Sequence, residues 1–295
     1  MVKWTDKQAL AIWEKYNKGL AKNIDIDESL SRYDIDKMRE RLEKDPVEWI
    51  KYFFPSYAKY EFAPFHIKAI KRLIANDEWY EVLSWSRELA KSTIVMFVLM
   101  YLTLTKRKKF VALASATIDA AERLLTPYRI NFENNPRIQQ FYGKQPVFGQ
   151  WTDREFTCTC GAKFIAIGAG SAPRGMRNES IRPDVIYMDD YDTDEDCRNP
   201  VTLNKKWDWM EKALYPTRSI SEPTLVIWCG NIIAKDCCIT RAGKLANSWD
   251  VVNIRDKNGK STWPAKNTEE HIDRALSKIS TKAQQGEYFN NPVSE

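Results

Sequence analysis

Residues 81–101 read EVLSWSRELAKSTIVMFVLMY, and few folds accommodate that succession. An apolar, β-prone run, Glu81 to Trp85, leads into the polar segment Ser86-Arg87-Glu88-Leu89-Ala90-Lys91-Ser92-Thr93, and an apolar helical run follows from Ile94 to Tyr101. Strand, loop ending in Lys-Ser, helix is the context of a phosphate-binding P-loop. Loop amides and the helix N-terminus converge on one spot, where a phosphate's charge is stabilised. In that reading Lys91 reaches the β- and γ-phosphates of a nucleotide and the Ser92 hydroxyl ligates Mg²⁺. The usual pattern has Gly at positions 85 and 90, where this chain has Trp85 and Ala90. A buried helix that merely begins near Lys-Ser is the competing explanation, so the rest of the chain has to decide.

The chain has 295 residues, enough for one large domain or two small ones and for a substantial core. With 43% hydrophobic and 29% charged residues it has a globular rather than a disordered composition. A net charge of +5 permits an anionic partner without requiring one. The six cysteines and the lack of a signal-peptide pattern suggest reduced thiols. The longest apolar run, residues 94–104, is too short to span a bilayer. Only His66 and His271 are present, which excludes histidine-rich metal sites.

Residues 1–60 have a helical, aromatic-rich pattern, with a helix capped by Thr5 running to about Lys18 and another opening at Asp45-Pro46. A helix from Pro64 carries Phe65, Ala69, Ile70, Leu73 and Ile74 on one face. His66 on that helix is either an ordinary polar residue or, from its place just upstream of the loop, an adenine contact. Residues 106–109, Lys-Arg-Lys-Lys, read as a solvated turn, with DNA contact the minority reading. A strand at 110–114 and a helix from Ile118 continue a β-α-β-α alternation, which predicts an α/β fold with a mostly parallel sheet. Alternation on either side of Cys160-Gly161 predicts a β-hairpin over 155–167. Cys158 and Cys160 with Cys237 and Cys238 are the residues a zinc site would use, although the spacing lacks the usual knuckles.

A loop containing Arg174 and Arg177 offers two candidates for phosphate or DNA contact. Val185-Ile186-Tyr187-Met188-Asp189-Asp190 then reads as a buried strand delivering carboxylates at its C-terminal edge, the form of a Walker B element. There Asp189 would hold Mg²⁺ through water, and Asp190 would orient or deprotonate the attacking water. The further acids Asp192, Asp194, Glu195 and Asp196 suggest either a two-metal nuclease site or a solvated helix start, the latter favoured by the helix dipole. Strand 223–229 ends in Gly230-Asn231, where a polar side chain can sense the γ-phosphate.

In this order, SRELAKST, the Ala-Pro-Arg-Gly loop, VIYMDD and VIWCGN resemble the ATPase domain of the large terminase subunit, the DNA-packaging motor of tailed bacteriophages. The resemblance runs from about Phe62 to Glu295. It implies a P-loop NTPase fold of the ASCE type, with a mostly parallel sheet flanked by helices, an ATPase core (61–250) carrying the hairpin as an insertion, and a C-terminal lid (251–295); the helical pattern of residues 1–60 is read as an N-terminal subdomain packing on that sheet. The family's variant loop contains an arginine that responds to the γ-phosphate, matched by Arg87, and Ala90 before the lysine has precedent there. The resemblance makes Lys91, Arg87 and Asp190 the catalytic candidates and residues 86–93 with His66 the ATP site, although the family usually has Gln at the place of His66. Ser92 and Asp189 become the Mg²⁺ ligands, and Gly230-Asn231 the motif coupling hydrolysis to movement.

Partners implied by the resemblance are double-stranded DNA, a portal protein, a small terminase subunit and further copies in a ring, at the procapsid portal vertex in the host cytoplasm. The family's nuclease domain has no counterpart in these residues, so no nuclease activity is expected. A helicase-like P-loop ATPase, a nuclease built on Asp189–Asp196 and a non-enzymatic assembly protein with a degenerate nucleotide pocket are the rival readings.

Overall fold

A computed structural model describes residues 24–173, 176 and 180–293. The helix expected between Thr5 and Lys18 lies outside the described residues.

Eight strands form one sheet in the order β3-β4-β5-β2-β6-β7-β1-β8. These are β1 (Trp79–Trp85), β2 (Phe110–Ser115), β3 (Pro146–Trp151), β4 (Glu155–Cys158), β5 (Lys163–Gly168), β6 (Val185–Asp189), β7 (Leu225–Cys229) and β8 (Ser248–Val252). From β5 to β8 every pairing is parallel, while β3, β4 and β5 pair antiparallel. Strands β2, β6 and β7 are buried at every residue, as continuous apolar runs covered on both faces should be. The hairpin expected over 155–167 is β4–β5, and it continues the main sheet instead of standing apart from it. β3 went unpredicted because its Pro, Gly and Gln interrupt the pattern.

Helices cover both faces. On one face lie α1 (Arg32–Glu43), α2 (Pro46–Phe53), α3 (Pro64–Ala75), α4 (Lys91–Leu104), α5 (Ile118–Asn134) and α6 (Pro136–Tyr142). On the other, α7 (Asp194–Arg198) leads into α8 (Pro200–Trp209), and α8 and α9 (Cys238–Leu245) pack on the sheet. Asp45 caps α2 through the amides of Val47 and Glu48. Trp49 of α2 sets its ring 5.2 Å from that of Tyr101, so the N-terminal helices share their core with α4. After β8 come α10 (Glu269–Leu276) and α11 (Thr281–Phe289). Among the described residues no helix is long and apolar enough to cross a membrane.

The pleat explains the expected zinc cysteines. Cys158 belongs to the core on the α4 face, whereas Cys237 and Cys238 are buried on the opposite face. The two pairs are separated by the sheet and cannot share an ion, which corrects that alternative. The 106–109 run is also less solvated than its charge suggests. Lys108 is 3% exposed and donates to the carbonyls of Asp77 and Pro223, and Arg107 pairs with Asp77.

Candidate nucleotide-phosphate site

β7 lies between β1 and β6, so the loops after these three strands emerge side by side. The registers align Leu83 with Cys229 and Cys229 with Asp189. The P-loop candidate, Gly230-Asn231 and the acidic pair are therefore neighbours at the C-terminal edge, although up to 140 residues separate them in sequence.

α4 begins at Lys91 without a side-chain cap. The first helical bond runs from the Ile94 amide to the Ala90 carbonyl, at 2.9 Å. The amides of Lys91, Ser92 and Thr93 are the unsatisfied donors of the first turn, which is what an anion requires. Ala90 reaches this geometry with φ +62°, and Glu88 with φ +70°. A left-handed conformation costs a non-glycine residue about 1–2 kcal/mol. Glycine at position 90 removes that strain, and a Cβ is all that distinguishes the two residues. Ala90→Gly is expected to raise unfolding free energy by about 0.5–1 kcal/mol after the extra freedom of the unfolded chain is deducted. A denaturant titration showing loss of stability would contradict the strained-loop geometry.

Contacts at four successive residues hold the loop. Leu89 is fully buried, and its carbonyl accepts from Nε2 of His66 at 2.9 Å. Lys266 donates to the Glu88 carbonyl at 3.1 Å and to its carboxylate at 2.8 Å, and Asn267 Nδ2 donates to the same carbonyl at 3.3 Å. The Arg87 amide donates to the Glu287 carbonyl at 3.1 Å, while the Arg87 guanidinium pairs with the Glu287 carboxylate. Ser86 is buried, its amide donating to Val252 O at 2.9 Å.

His66 is fully buried, and its Nδ1 accepts from the Ala63 amide at 3.0 Å. Both ring nitrogens are thus spent on the chain. The adenine contact expected of His66 has no free donor or acceptor, and the ring braces the loop from beneath instead. Burial lowers its pKa from 6.5 to about 4. The unfolded chain therefore takes up a proton near pH 6.5 and the folded one only near pH 4. This contribution is complete above pH 6.5 and is lost as the pH falls toward 4, on the order of 2 kcal/mol by pH 5. Unfolding curves at pH 7.5 and pH 5 should show a steeper loss for the wild type than for His66→Gln. Equal slopes would remove the buried neutral imidazole.

Lys91 Nζ donates to Asn231 Oδ1 at 3.0 Å, and Asn231 Nδ2 donates to the Glu287 carbonyl at 2.7 Å. The Gly230 amide donates to Leu83 O at 3.3 Å, tying the end of β7 to β1. Lys91, Arg87, Asp190, Asn231 and Glu287 line one cleft of about 330 Å³. Asp190 is exposed at its rim with φ +44°. Sparsely populated backbone conformations at Glu88, Ala90 and Asp190 thus gather at one edge of the sheet, as is common where function constrains the chain.

Asp189 is fully buried. Its Oδ2 accepts from the Tyr187 hydroxyl, and its Oδ1 is buried without a partner among the described residues. Burial, then the neighbouring Asp190 charge, raises its pKa, while the Ser92 and Tyr187 hydroxyls and Lys91 act in the opposite sense. An orphaned carboxylate oxygen near a serine hydroxyl is an all-oxygen donor set, which suits a hard divalent cation such as Mg²⁺.

Asp192 and Asp194 line the same cleft as Asp190, but two of the acids that follow are spent on the chain. Asp192 accepts from the amides of Cys238 and Ile239 at 2.8 Å each, capping α9. Asp196 pairs with Lys206 at 2.6 Å. Among the described residues no three or more acids, histidines or cysteines come together as a metal-holding group, which counts against the two-metal reading. Arg174 and Arg177 lie outside the described residues. Glu287, Lys266 and Asn267 were not foreseen. A lone Glu or Asn on a polar C-terminal helix or loop carries no local signal of the loop it meets.

A lysine-serine loop between a strand and a helix, with one strand intervening before the acidic strand, defines a P-loop NTPase fold with the additional central strand. No protein-family model and no curated protein matches the chain. Among solved structures, the large terminase of bacteriophage HK97 superposes with a TM-score of 0.55 at 14% identity, over 80% of this chain and 51% of that one. The large terminase ATPase domain of Thermus phage P74-26 gives 0.49 at 16% identity, over 82% and 98%. A large terminase of the thermophilic bacteriophage D6E in complex with ADP gives 0.48 at 14%, over 79% and 54%. At 14% identity the likeness to the HK97 protein is one of fold: the chain shares the fold of part of a large terminase. It spans about half the length of the HK97 protein.

Proposed function

We propose that the chain is an ATP-hydrolysing motor domain that translocates double-stranded DNA during packaging of a viral genome. The observation that carries the proposal is the convergence of Lys91, Asn231, Arg87 and Asp190 on one cleft beside an uncapped helix start. Fold likeness to the HK97 large terminase supports the packaging context.

In this reading the β- and γ-phosphates lie on the amides of Lys91, Ser92 and Thr93, and Lys91 transfers its bond from Asn231 to a γ-phosphate oxygen. Ser92 and Asp189 would hold Mg²⁺, which neutralises phosphate charge when bound. Asp190, at the open rim, orients the attacking water and takes its proton. It is one methylene shorter than the usual glutamate, so the water sits closer to the end of β6. Arg87 exchanges Glu287 for the charge developing on the γ-phosphate. Asn231, bonded to both Lys91 and the α11 backbone, transmits that exchange to the C-terminal helices.

DNA contact should be mostly to phosphates, hence salt-sensitive and largely indifferent to sequence. In a ring, a further arginine from a neighbouring copy is expected to complete the site. ATP turnover measured against protein concentration, with and without duplex DNA, tests the reading. Specific activity that rises with concentration and with DNA supports it. Turnover that requires forked DNA and separates strands would favour the helicase-like alternative.

A further inference from the structure

Tyr187 stands two residues before Asp189 on β6. Side chains alternate along a strand, so the two share one face of the sheet. Tyr187 is 1% exposed and lies in the core that α4 fills. A buried phenol needs a partner for its hydroxyl, and here the partner is Oδ2 of Asp189. The sheet anchors both residues. Tyr187 is paired with Leu113 of β2 on one side and with Ile227 of β7 on the other, and Asp189 is paired with Cys229. A central strand, rather than a loop, therefore sets the bond between them.

We propose that Tyr187 is a positioning residue of the Mg²⁺ site: its hydroxyl engages Oδ2 of Asp189 so that Oδ1 alone is left for the metal and its waters. The inference rests on the nucleotide reading above. The two oxygens of a free carboxylate are equivalent, and either can turn to a cation. At Asp189 they are unequal. Oδ2 is occupied, whereas Oδ1 is buried without a partner among the described residues. One acceptor is thus held open in the neighbourhood of the Ser92 hydroxyl. Mg²⁺ demands a near-ideal octahedron, so a ligand fixed in orientation beforehand serves it better than one that has to be ordered on binding. Groups that hold a metal ligand from behind typically cost ~10–100-fold in metal affinity or activity when removed.

The test measures binding of a non-hydrolysable ATP analogue, adenylyl imidodiphosphate, by titration calorimetry, once with Mg²⁺ and once with EDTA. The proteins are wild type, Tyr187→Phe and Tyr128→Phe. Tyr187→Phe keeps the ring and its packing and removes only the hydroxyl. Tyr128 of α5 lies in the same core, and its buried hydroxyl has no partner among the described residues, so Tyr128→Phe controls for loss of a hydroxyl as such. Wild type is expected to bind the analogue more tightly with Mg²⁺ than with EDTA. Tyr187→Phe should lose at least tenfold in affinity with Mg²⁺ and nothing with EDTA, and Tyr128→Phe should match wild type in both. Unchanged affinity of Tyr187→Phe with Mg²⁺ would overturn the proposal. So would equal losses with Mg²⁺ and EDTA, the mark of a merely structural role, or an equal Mg²⁺-specific loss in Tyr128→Phe. Wild type that binds the analogue equally in both conditions would overturn the Mg²⁺ site together with its positioning residue. Wild type that binds it in neither would defeat the nucleotide reading itself, a result distinct from the others.

Discussion

Lys91→Ala is expected to lower ATP turnover by at least ~10²–10³-fold, the range found when one preorganised electrostatic donor is removed from a reaction centre. The ammonium stands at the first residue of α4, is only partly buried, and has its Asn231 bond as its one hydrogen bond within the described chain. Its loss removes the charge proposed to meet the γ-phosphate and a single hydrogen bond, worth about 1 kcal/mol of stability. The variant should therefore fold, with a thermal midpoint close to that of the wild type, while turnover disappears. Turnover preserved in Lys91→Ala would place hydrolysis elsewhere or reveal a contaminating ATPase.

The largest expected loss of stability comes from Arg72→Ala. Glu81 is wholly buried in β1, the strand that carries the P-loop. Arg72 Nε donates to its two carboxylate oxygens at 3.0 and 2.9 Å, Trp79 Nε1 donates at 2.7 Å, and Ser248 Oγ at 3.2 Å. Arg72 also reaches Asp250 of β8 at 3.4 Å. Truncating the arginine strands a buried carboxylate beneath the strand, and uncompensated charges of this kind cost about 3–5 kcal/mol. Replacing the pair with Arg72→Met and Glu81→Leu should restore most of that loss, because the desolvation of both charges is removed together. A denaturation midpoint unchanged in Arg72→Ala would mean that Glu81 finds water or another partner.

These contrasts show where the sequence was legible. Strands β2, β6 and β7 are nearly continuous apolar runs, and burial on both faces is what such runs demand. Lys91-Ser92 and Asp189-Asp190 were readable because strand ends and helix starts announce themselves locally. Trp85 and Ala90, which break the familiar glycine pattern, sit in the same architecture: the tryptophan is buried in the core and the alanine accepts a left-handed backbone. What stayed hidden depends on contacts between distant segments. His66 could not be recognised as a brace until the Leu89 carbonyl was placed above it. Glu81 and Lys108 look like surface charges in sequence, yet both are buried by partners far along the chain. Of the acids after Asp190, Asp192 and Asp194 stay beside it at the cleft, but Asp192 is spent on the first amides of α9 and Asp196 on Lys206.

The contribution of residues 287–290 also bears on when the protein can work. Glu287 meets Arg87 and Asn231, and Asn290 reaches Ser84 O at 2.9 Å while accepting from the Ile232 amide at 3.0 Å. The sheet edge is therefore closed by residues made long after the loop they close. At ribosomal rates of ~5–20 residues per second, the interval between the P-loop and α11 is on the order of 10–40 s. A nascent chain passes that interval with its loop translated but unlatched, without the Glu287 and Asn290 contacts that hold Arg87, Asn231 and the end of β1 in the folded protein.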